Sequence, residues 1–466
     1  MATPGSSTQQ ASACSGGLRR RLTQGRPETT DCDGATEEED HISRLPEDLL
    51  LDVLARLGCA RKAAGTSVLA RRWRSLWTRL PELRFENSRL PFHMLEGLFT
   101  QITCPALNLL HIEIDQHHQS HIFPVHISSL LRAAARLAPK NLTFNLWHYA
   151  EGKGEAVELP CFDRTISLRL ELPFINLAPP PGGEFSALER LVLYSCNVEP
   201  GSLLPMCPSL RSLHFEACED FDVVTIHSTS LEELVVYSHH DNGGDEIDCI
   251  DVMTPLLKKV EFSIAWGEDF RMSFSAPLVE DFEVDVIFQH GNVGLEYMRL
   301  NRMKYLLRHG VHKLHLDIHC RDLFPYYSYA LEDLDRGFEE EITRLPFSQF
   351  SILVLELETE EHAFGPLVLH LLQIRPIRML EIYLNRAGKV SCPLDCPCDQ
   401  HTNWRNESIS LTKLKVVRIY GLKGEDDEAD FLQVLFRCAT GLKRMIVKVA
   451  PGGYNKVRGI CEQYPQ

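Results

Sequence analysis

Five stretches of the chain read LERLVLYSCN (188–197), LRSLHFEA (210–217), LEELVVYS (231–238), LKKVEFSI (257–264) and VEDFEVDV (279–286). Each opens on an apolar anchor: Leu188, Leu210, Leu231, Leu257 or Val279. Three and five positions on stand Leu191 and Leu193, Leu213 and Phe215, Leu234 and Val236, Val260 and Phe262, Phe282 and Val284. The anchors lie 22, 21, 26 and 22 residues apart. At 44% hydrophobic content, fifteen apolar hits in fifteen arise by chance about 5 × 10⁻⁶ of the time in a fixed register. Alternation of this kind predicts a strand with one buried face. No such unit can bury its apolar edge alone, so neighbours must stack, and their strands line a curved parallel sheet.

One strand every 20–29 residues is the leucine-rich-repeat signature. Looser copies stand upstream (Leu107, Leu110, Ile112; Leu168, Leu170) and downstream (Val311, Leu314, Leu316; Ile352, Leu355, Leu357; Ile377, Leu380, Ile382). The expected architecture is α/β, an irregular leucine-rich-repeat solenoid over residues 105–415; a generic strand-rich domain is the other fold the pattern allows. Two inserts interrupt the series. Residues 293–308 have helical spacing (Leu295, Met298, Met303, Leu306, Leu307), and 320–350 hold Tyr326, Tyr327, Tyr329 and an acidic stretch from Glu332 to Glu341. Near the end, Phe431, Leu432, Val434, Leu435 and Phe436 read as a helix behind an acidic run, and Leu442, Met445 and Val447 as a last strand.

The N-terminal text is different. Residues 1–39 are polar and lead into Glu37, Glu38, Glu39 and Asp40, a composition that cannot offset chain entropy, so a disordered leader is expected. Residues 40–85 read as a small helical unit. Pro46 suits the first helical position, and Glu47 and Asp48 meet the positive helix end. Leu49, Leu50, Val53, Leu54 and Leu57 follow at helical spacing, with Gly58 as a stop. A second helix is expected from Thr66, with the stripe Leu69, Trp73, Leu76, Trp77 and Leu80, ended by Pro81. A unit of this size is marginal alone and should lean on something else, either the following domain or a partner.

The elements Ile42-Ser43-x-Leu45-Pro46, Leu49-Leu50-x-x-Val53-Leu54, Thr66-Ser67-x-Leu69 and Arg72-Trp73-Arg74-x-Leu76-Trp77 together resemble an F-box of the plant type. The tail, 416–466, resembles the FBD-type region that accompanies plant F-box/leucine-rich-repeat proteins, and a C-terminal cap is the modest reading of it. The resemblance implies a non-catalytic substrate-recognition subunit of an SCF-type cullin-RING ubiquitin ligase. Its F-box would bind a Skp-family adaptor, and through it cullin and RING subunits. Leu45, Pro46, Leu49, Leu50, Val53, Leu54 and Leu57 would contribute to the adaptor-facing surface. Trp73, Leu76 and Trp77 would either contribute directly or hold the small core. The alternative is a non-catalytic leucine-rich-repeat scaffold acting outside any ligase.

A net charge of −16 argues against binding nucleic acid or anionic membrane, which needs clustered cations. No apolar h-region and no run of 18 apolar residues occurs, and the 15 cysteines are scattered, so a nuclear or cytoplasmic chain is expected. Cys392, Cys396, Cys398 and His401 could hold zinc, but C-x-C closes a tetrahedral site awkwardly and paired C-x₂-C knuckles are absent, which favours plain loop cysteines. His111, His117, His118, His121 and His126 are expected in a loop without acidic partners, as solvated side chains. Gly152-Lys153-Gly154 lacks the rest of a phosphate loop. Neither a cofactor nor a metal is expected.

In a leucine-rich strand the positions two, four and six past the anchor face the open side. Among them Tyr194, His214 and Tyr237 give way to Glu261, Asp281, Glu283 and Asp285. The expected target segment therefore has an apolar or aromatic portion and a basic portion.

Overall fold

The computed structural model describes residues 45–449 apart from 89, 116–121, 148–154, 218–221, 239–245, 289–293, 296–297, 321–336, 348, 387–397, 399–403 and 407. Cys392, Cys396 and His401, the 152–154 triplet, His117, His118, His121, Tyr326, Tyr327, Tyr329 and the leader all lie outside the described residues. Backbone packing divides the chain into two units, Met1–Glu47 and Asp48–Gln466. In the first, Leu45 is half-buried and Pro46 and Glu47 are exposed.

The second unit is α/β, with a large, mostly parallel sheet and few helices. In chain order the strands are β1 (Glu82–Ser88), β2 (Leu109–Ile114), β3 (Asn141–Leu146), β4 (Ala156–Glu158), β5 (Ser167–Ala178), β6 (Arg190–Asn197) and β7 (Ser212–Ala217). Next come β8 (Val223–His227), β9 (Glu233–Ser238), β10 (Ile247–Met253), β11 (Lys259–Ile264), β12 (Trp266–Ser275), β13 (Asp281–Ile287) and β14 (Gly294–Leu295). The last are β15 (Met298–Arg308), β16 (Val311–Cys320), β17 (Ile352–Glu358), β18 (Met379–Asn385), β19 (Val416–Leu422) and β20 (Arg444–Val449). Seventeen form one sheet, and β8, β10 and β12 form a second, parallel one.

In the large sheet each strand pairs in parallel with the next ladder strand, from β1 through β2, β3, β5, β6, β7, β9 and β11 to β13. The parallel run resumes from β16 to β20. All ten residues three and five past the quoted anchors are buried, from Leu191 at 3% exposure to Phe262 and Val284 at 0%. The residues between them form rows across the sheet, such as Val192, His214, Val235, Glu261 and Glu283.

Where a helix is expected over 293–308, the described residues are strands: Gly294–Leu295 are β14 and Met298–Arg308 are β15, antiparallel to both β13 and β16. Met298, Leu300, Met303, Tyr305 and Leu307 are all buried. The step of three between Leu300 and Met303 comes from a register shift between Leu300 and Arg302, and that bulge mimics helical spacing. His309 and Gly310 close the β15–β16 hairpin with φ of +50° and +70°, the positive pair that a two-residue turn of the right twist requires.

The N-terminal segment also departs from expectation. Helix α1 (Glu47–Ala55) forms where expected but ends two residues short of Leu57, and Gly58 follows at φ +65°. Beyond it, α2 (Ala60–Gly65) and three short 3₁₀ turns at Thr66–Val68, Arg71–Trp73 and Trp77–Arg79 replace the single second helix. Trp73, Leu76, Trp77 and Leu80 are nonetheless buried, because tight turns at i,i+3 spacing gather the same side chains. Residues 82–85, read as the end of this segment, are the first half of β1, and Leu83 and Phe85 lie in the core. Backbone hydrogen bonds tie the last 3₁₀ turn to the chain ahead of β2: Thr103 and Cys104 both donate their N–H to the Thr78 carbonyl.

Helices fill the returns between strands: α3 (Phe92–Phe99), α4 (Pro124–Arg136), α5 (Pro200–Leu203), α6 (Phe338–Thr343), α7 (Gly365–Ile374) and α8 (Asp426–Cys438). In α4, Ile127, Leu130, Leu131 and Ala134 are fully buried, one face of a 3.6-residue period. The α8 start is fixed by Glu428, whose carboxylate accepts the N–H groups of Lys423, Gly424 and Glu425. His111 and His126 are not loop residues: the first is on β2, 3.8 Å from Glu113, and the second is on α4, stacked on Phe92.

Candidate functional site

Two surfaces carry the expected binding residues. The first is α1. A helix that buries one stripe needs apolar residues on that stripe alone, yet α1 has two. Leu50 and Leu54 are buried, while Leu49, Val53 and Leu57 are 47%, 45% and 37% exposed. Leu49 and Val53 are spaced i, i+4 and so share one face, and Leu57 is exposed in the turn that follows the helix. The ten residues expected at this site thus separate by burial. Leu49, Val53 and Leu57, with Pro46 ahead of them in sequence, are open to a partner. Leu50, Leu54, Trp73, Leu76 and Trp77 are interior. Leu45 is half-buried. Val68 and Leu69, at 88% and 67%, are more exposed still; Leu69 belongs to the expected core stripe, and nothing in the spacing singles out Val68.

The second is the solvent face of the large sheet. Tyr194 receives the Arg169 guanidinium 4.7 Å from its ring centroid. His214 has its pKa lowered by burial, partly opposed by Glu233 beside it. The Tyr237 hydroxyl donates to Glu261 at 2.9 Å, and burial together with that carboxylate pushes its pKa up to about 12. Lys259 and Ser212 both hold Glu233.

The acidic end of this face is not an open acidic surface. Asp285 is buried, at 7% exposure, and Arg302 grips it through both Nε (2.6 Å) and an Nη. Glu283 is held by Lys304 and by Arg308 at 2.9 Å. The cations stand on β15, in antiparallel register with β13. Reading β15 as a helix hides them, and a basic target segment at Glu283 and Asp285 would have to displace them. Asp281 sits opposite Arg308 in the same register.

Further along, His315, Asp317 and His319 alternate on β16 against Glu356 and Glu358 of β17. His319 Nε2 lies 2.9 Å from Asp317, which raises the His319 pKa, while burial lowers that of His315. Among the described residues no group of three His, Cys, Asp or Glu side chains is placed to hold a metal ion, and Cys398 is buried. No helix among them is long and apolar enough to cross a membrane.

On β18–β20 the face changes again. The rings of Tyr383 and Tyr420 stack at 4.8 Å with 9° between planes, and Lys448 Nζ lies 5.1 Å from the Tyr420 centroid. The alternation that gives Tyr237 also gives Tyr383 from the anchor Ile377, so this pair is legible in the sequence although it is absent from the expected set.

Many Arabidopsis thaliana proteins are homologous to this chain. A putative F-box/FBD/LRR-repeat protein is 29% identical over 266 residues, 55% of this chain and 59% of the relative. An F-box/FBD/LRR-repeat protein is 30% identical over 238 residues, 47% of this chain and 50% of the relative. A putative FBD-associated F-box protein is 27% identical over 276 residues, 56% and 59%. The chain thus spans about half the length of the curated relatives it matches. No family model and no solved structure matches it. The resemblance to plant F-box/FBD/LRR-repeat proteins thus extends over about half of the chain.

Proposed function

We propose that this chain is the substrate-recognition subunit of an SCF-type ubiquitin ligase, acting in the nucleus or cytoplasm without catalysis of its own. Residues 40–85 act as the F-box, the strand units over 105–415 as a leucine-rich-repeat solenoid, and 416–466 as an FBD-like cap. The observation that carries the reading is the exposed stripe of Leu49 and Val53 on α1, with Leu57 exposed just past its end, within the segment whose motifs resemble an F-box. Large exposed apolar side chains this close together are a costly surface for a lone protein, and interface energy concentrates in such anchors. The stripe is the adaptor contact; Leu45 and Pro46 join it on the strength of the resemblance. Leu50, Leu54, Trp73, Leu76 and Trp77 hold the segment in shape. The solvent face of the large sheet holds the target. Affinity purification of the full chain under proteasome inhibition tests this. Recovery of a Skp-family adaptor together with a cullin and a RING subunit is expected. Recovery of the adaptor without a cullin would favour a scaffold working outside a ligase.

A further inference from the structure

We propose that the solvent face of β18–β20 docks an acidic segment of a partner protein that carries an aromatic side chain; this rests on the reading of the sheet face as target-binding and names the chemistry of the target. Charge is the first ground. The solvent side of these three strands carries Arg418, Arg444 and Lys448 against a single carboxylate, Glu381, in a chain of net charge −16; Arg378, Lys415 and Lys443 stand one residue ahead of the strands. Glu381 is already engaged, accepting from the Tyr383 hydroxyl at 2.9 Å and lying 3.7 Å from Arg418. Among the described residues no carboxylate pairs with Arg444 or Lys448. At the other end the corresponding charges cancel: Glu283 and Asp285 meet Arg302, Lys304 and Arg308.

Shape is the second ground. Tyr383, Tyr420 and Lys448 occupy one row, in register across the three strands. Tyr383 is 40% exposed; across the row from Tyr420 its neighbour is Glu356 of β17, so an incoming aromatic side chain meets the tyrosine pair from the solvent side. An aromatic side chain laid there brings neighbouring carboxylates toward Arg444 and Lys448. A polyphosphate would meet the same cations but has no aromatic side chain to lay against Tyr383.

The test is fluorescence anisotropy of the full chain with three labelled peptides of equal length. One alternates Glu and Asp around a single Trp, the second has that Trp replaced by Ala, and the third has Lys in place of every acid. The acidic-aromatic peptide should bind at least about tenfold more tightly than the basic one and more tightly than its Ala version. Lys448→Glu with Arg444→Glu should cost at least about tenfold and flatten the salt dependence. Lys448→Gln and Tyr383→Ala should each cost about threefold or more. Equal or tighter binding of the basic peptide would overturn the proposal, as would charge reversal without effect in a protein with unchanged circular dichroism. So would a single-stranded oligonucleotide displacing the acidic peptide at lower concentration, or a dimer in sedimentation that the reversal dissolves. Adaptor binding should be untouched by these variants, and peptide binding by changes on α1, so the two readings fail separately.

Discussion

β9 and α1 are built from the same residue types and place them differently. In β9, Leu234 and Val236 are wholly buried, and even Val235 on the opposite face is 2% exposed. In α1, Leu50 and Leu54 are wholly buried, yet Leu49 and Val53 stand 47% and 45% open, as does Leu57 at 37% just past the helix. Full burial of such a side chain is worth about 1.5–3 kcal/mol, a gain that β9 collects and half of α1 forgoes. A strand inside a sheet has neighbours on both sides and under one face, so its apolar residues are consumed by the fold. A helix with two apolar stripes can satisfy only one internally, and the other marks where a second molecule belongs.

The largest expected effect separates the two kinds of position. Phe262→Ala, at a fully buried strand site, and Trp73→Ala, at 4% exposure, should each cost about 3–5 kcal/mol in urea unfolding. Leu49→Ala should stay within about 0.5 kcal/mol. A loss of several kcal/mol at Leu49 would mean that the stripe is covered by the fold itself.

A smaller effect is expected on the sheet face, where the ion pairs of β13 and β15 replace the open acidic surface. Arg302→Ala removes the partner of a buried carboxylate whose other neighbour, Lys304, lies 3.6 Å away. Because Arg302 is itself half exposed, the cost should be about 1–3 kcal/mol by urea unfolding. Unchanged stability would mean that Asp285 is solvated and open to a basic ligand after all.

The smallest is a pH effect at His319. Its pKa is raised by the hydrogen bond with Asp317, so its contribution is complete below the unfolded-state pKa and fades as pH rises through the folded value. His319→Asn should therefore lose more stability at pH 6 than at pH 8.5, by less than about 1 kcal/mol. His315, whose pKa is lowered by burial, works in the opposite sense: its stabilisation is lost as pH falls through the unfolded value. The difference between wild type and variant isolates the first term. A pH-independent difference would remove His319 as a protonated partner.

The strands with a full L-x-x-L-x-L pattern are legible because the third and fifth positions all enter the core, as do the anchors Leu188, Leu210, Leu231 and Leu257. The copy anchored at Ile352 is set two residues late, since Leu353 and Leu355 are the residues in register with Leu314 and Leu316. β8 and β10 carry too short an alternation to stand out: only Val224 and Ile226, or Ile250 and Val252, alternate as buried residues. β15 reads as a helix because one bulge shifts a period of two toward one of three or four. The binding residues of α1 are legible as a set but not as two faces. Helical spacing places Leu49 and Leu50 100° apart and says nothing of which one the core covers. That division is a property of the tertiary structure, as is the pairing of Glu283 and Asp285 with cations some twenty residues further along.

Titration calorimetry with a purified Skp-family adaptor tests most directly whether the exposed stripe of α1 is the adaptor contact. The full chain should bind, and Leu49→Asp with Val53→Asp should lose about 3 kcal/mol or more of binding free energy while its urea midpoint stays where it was. Undiminished binding by that folded double variant would contradict the assignment.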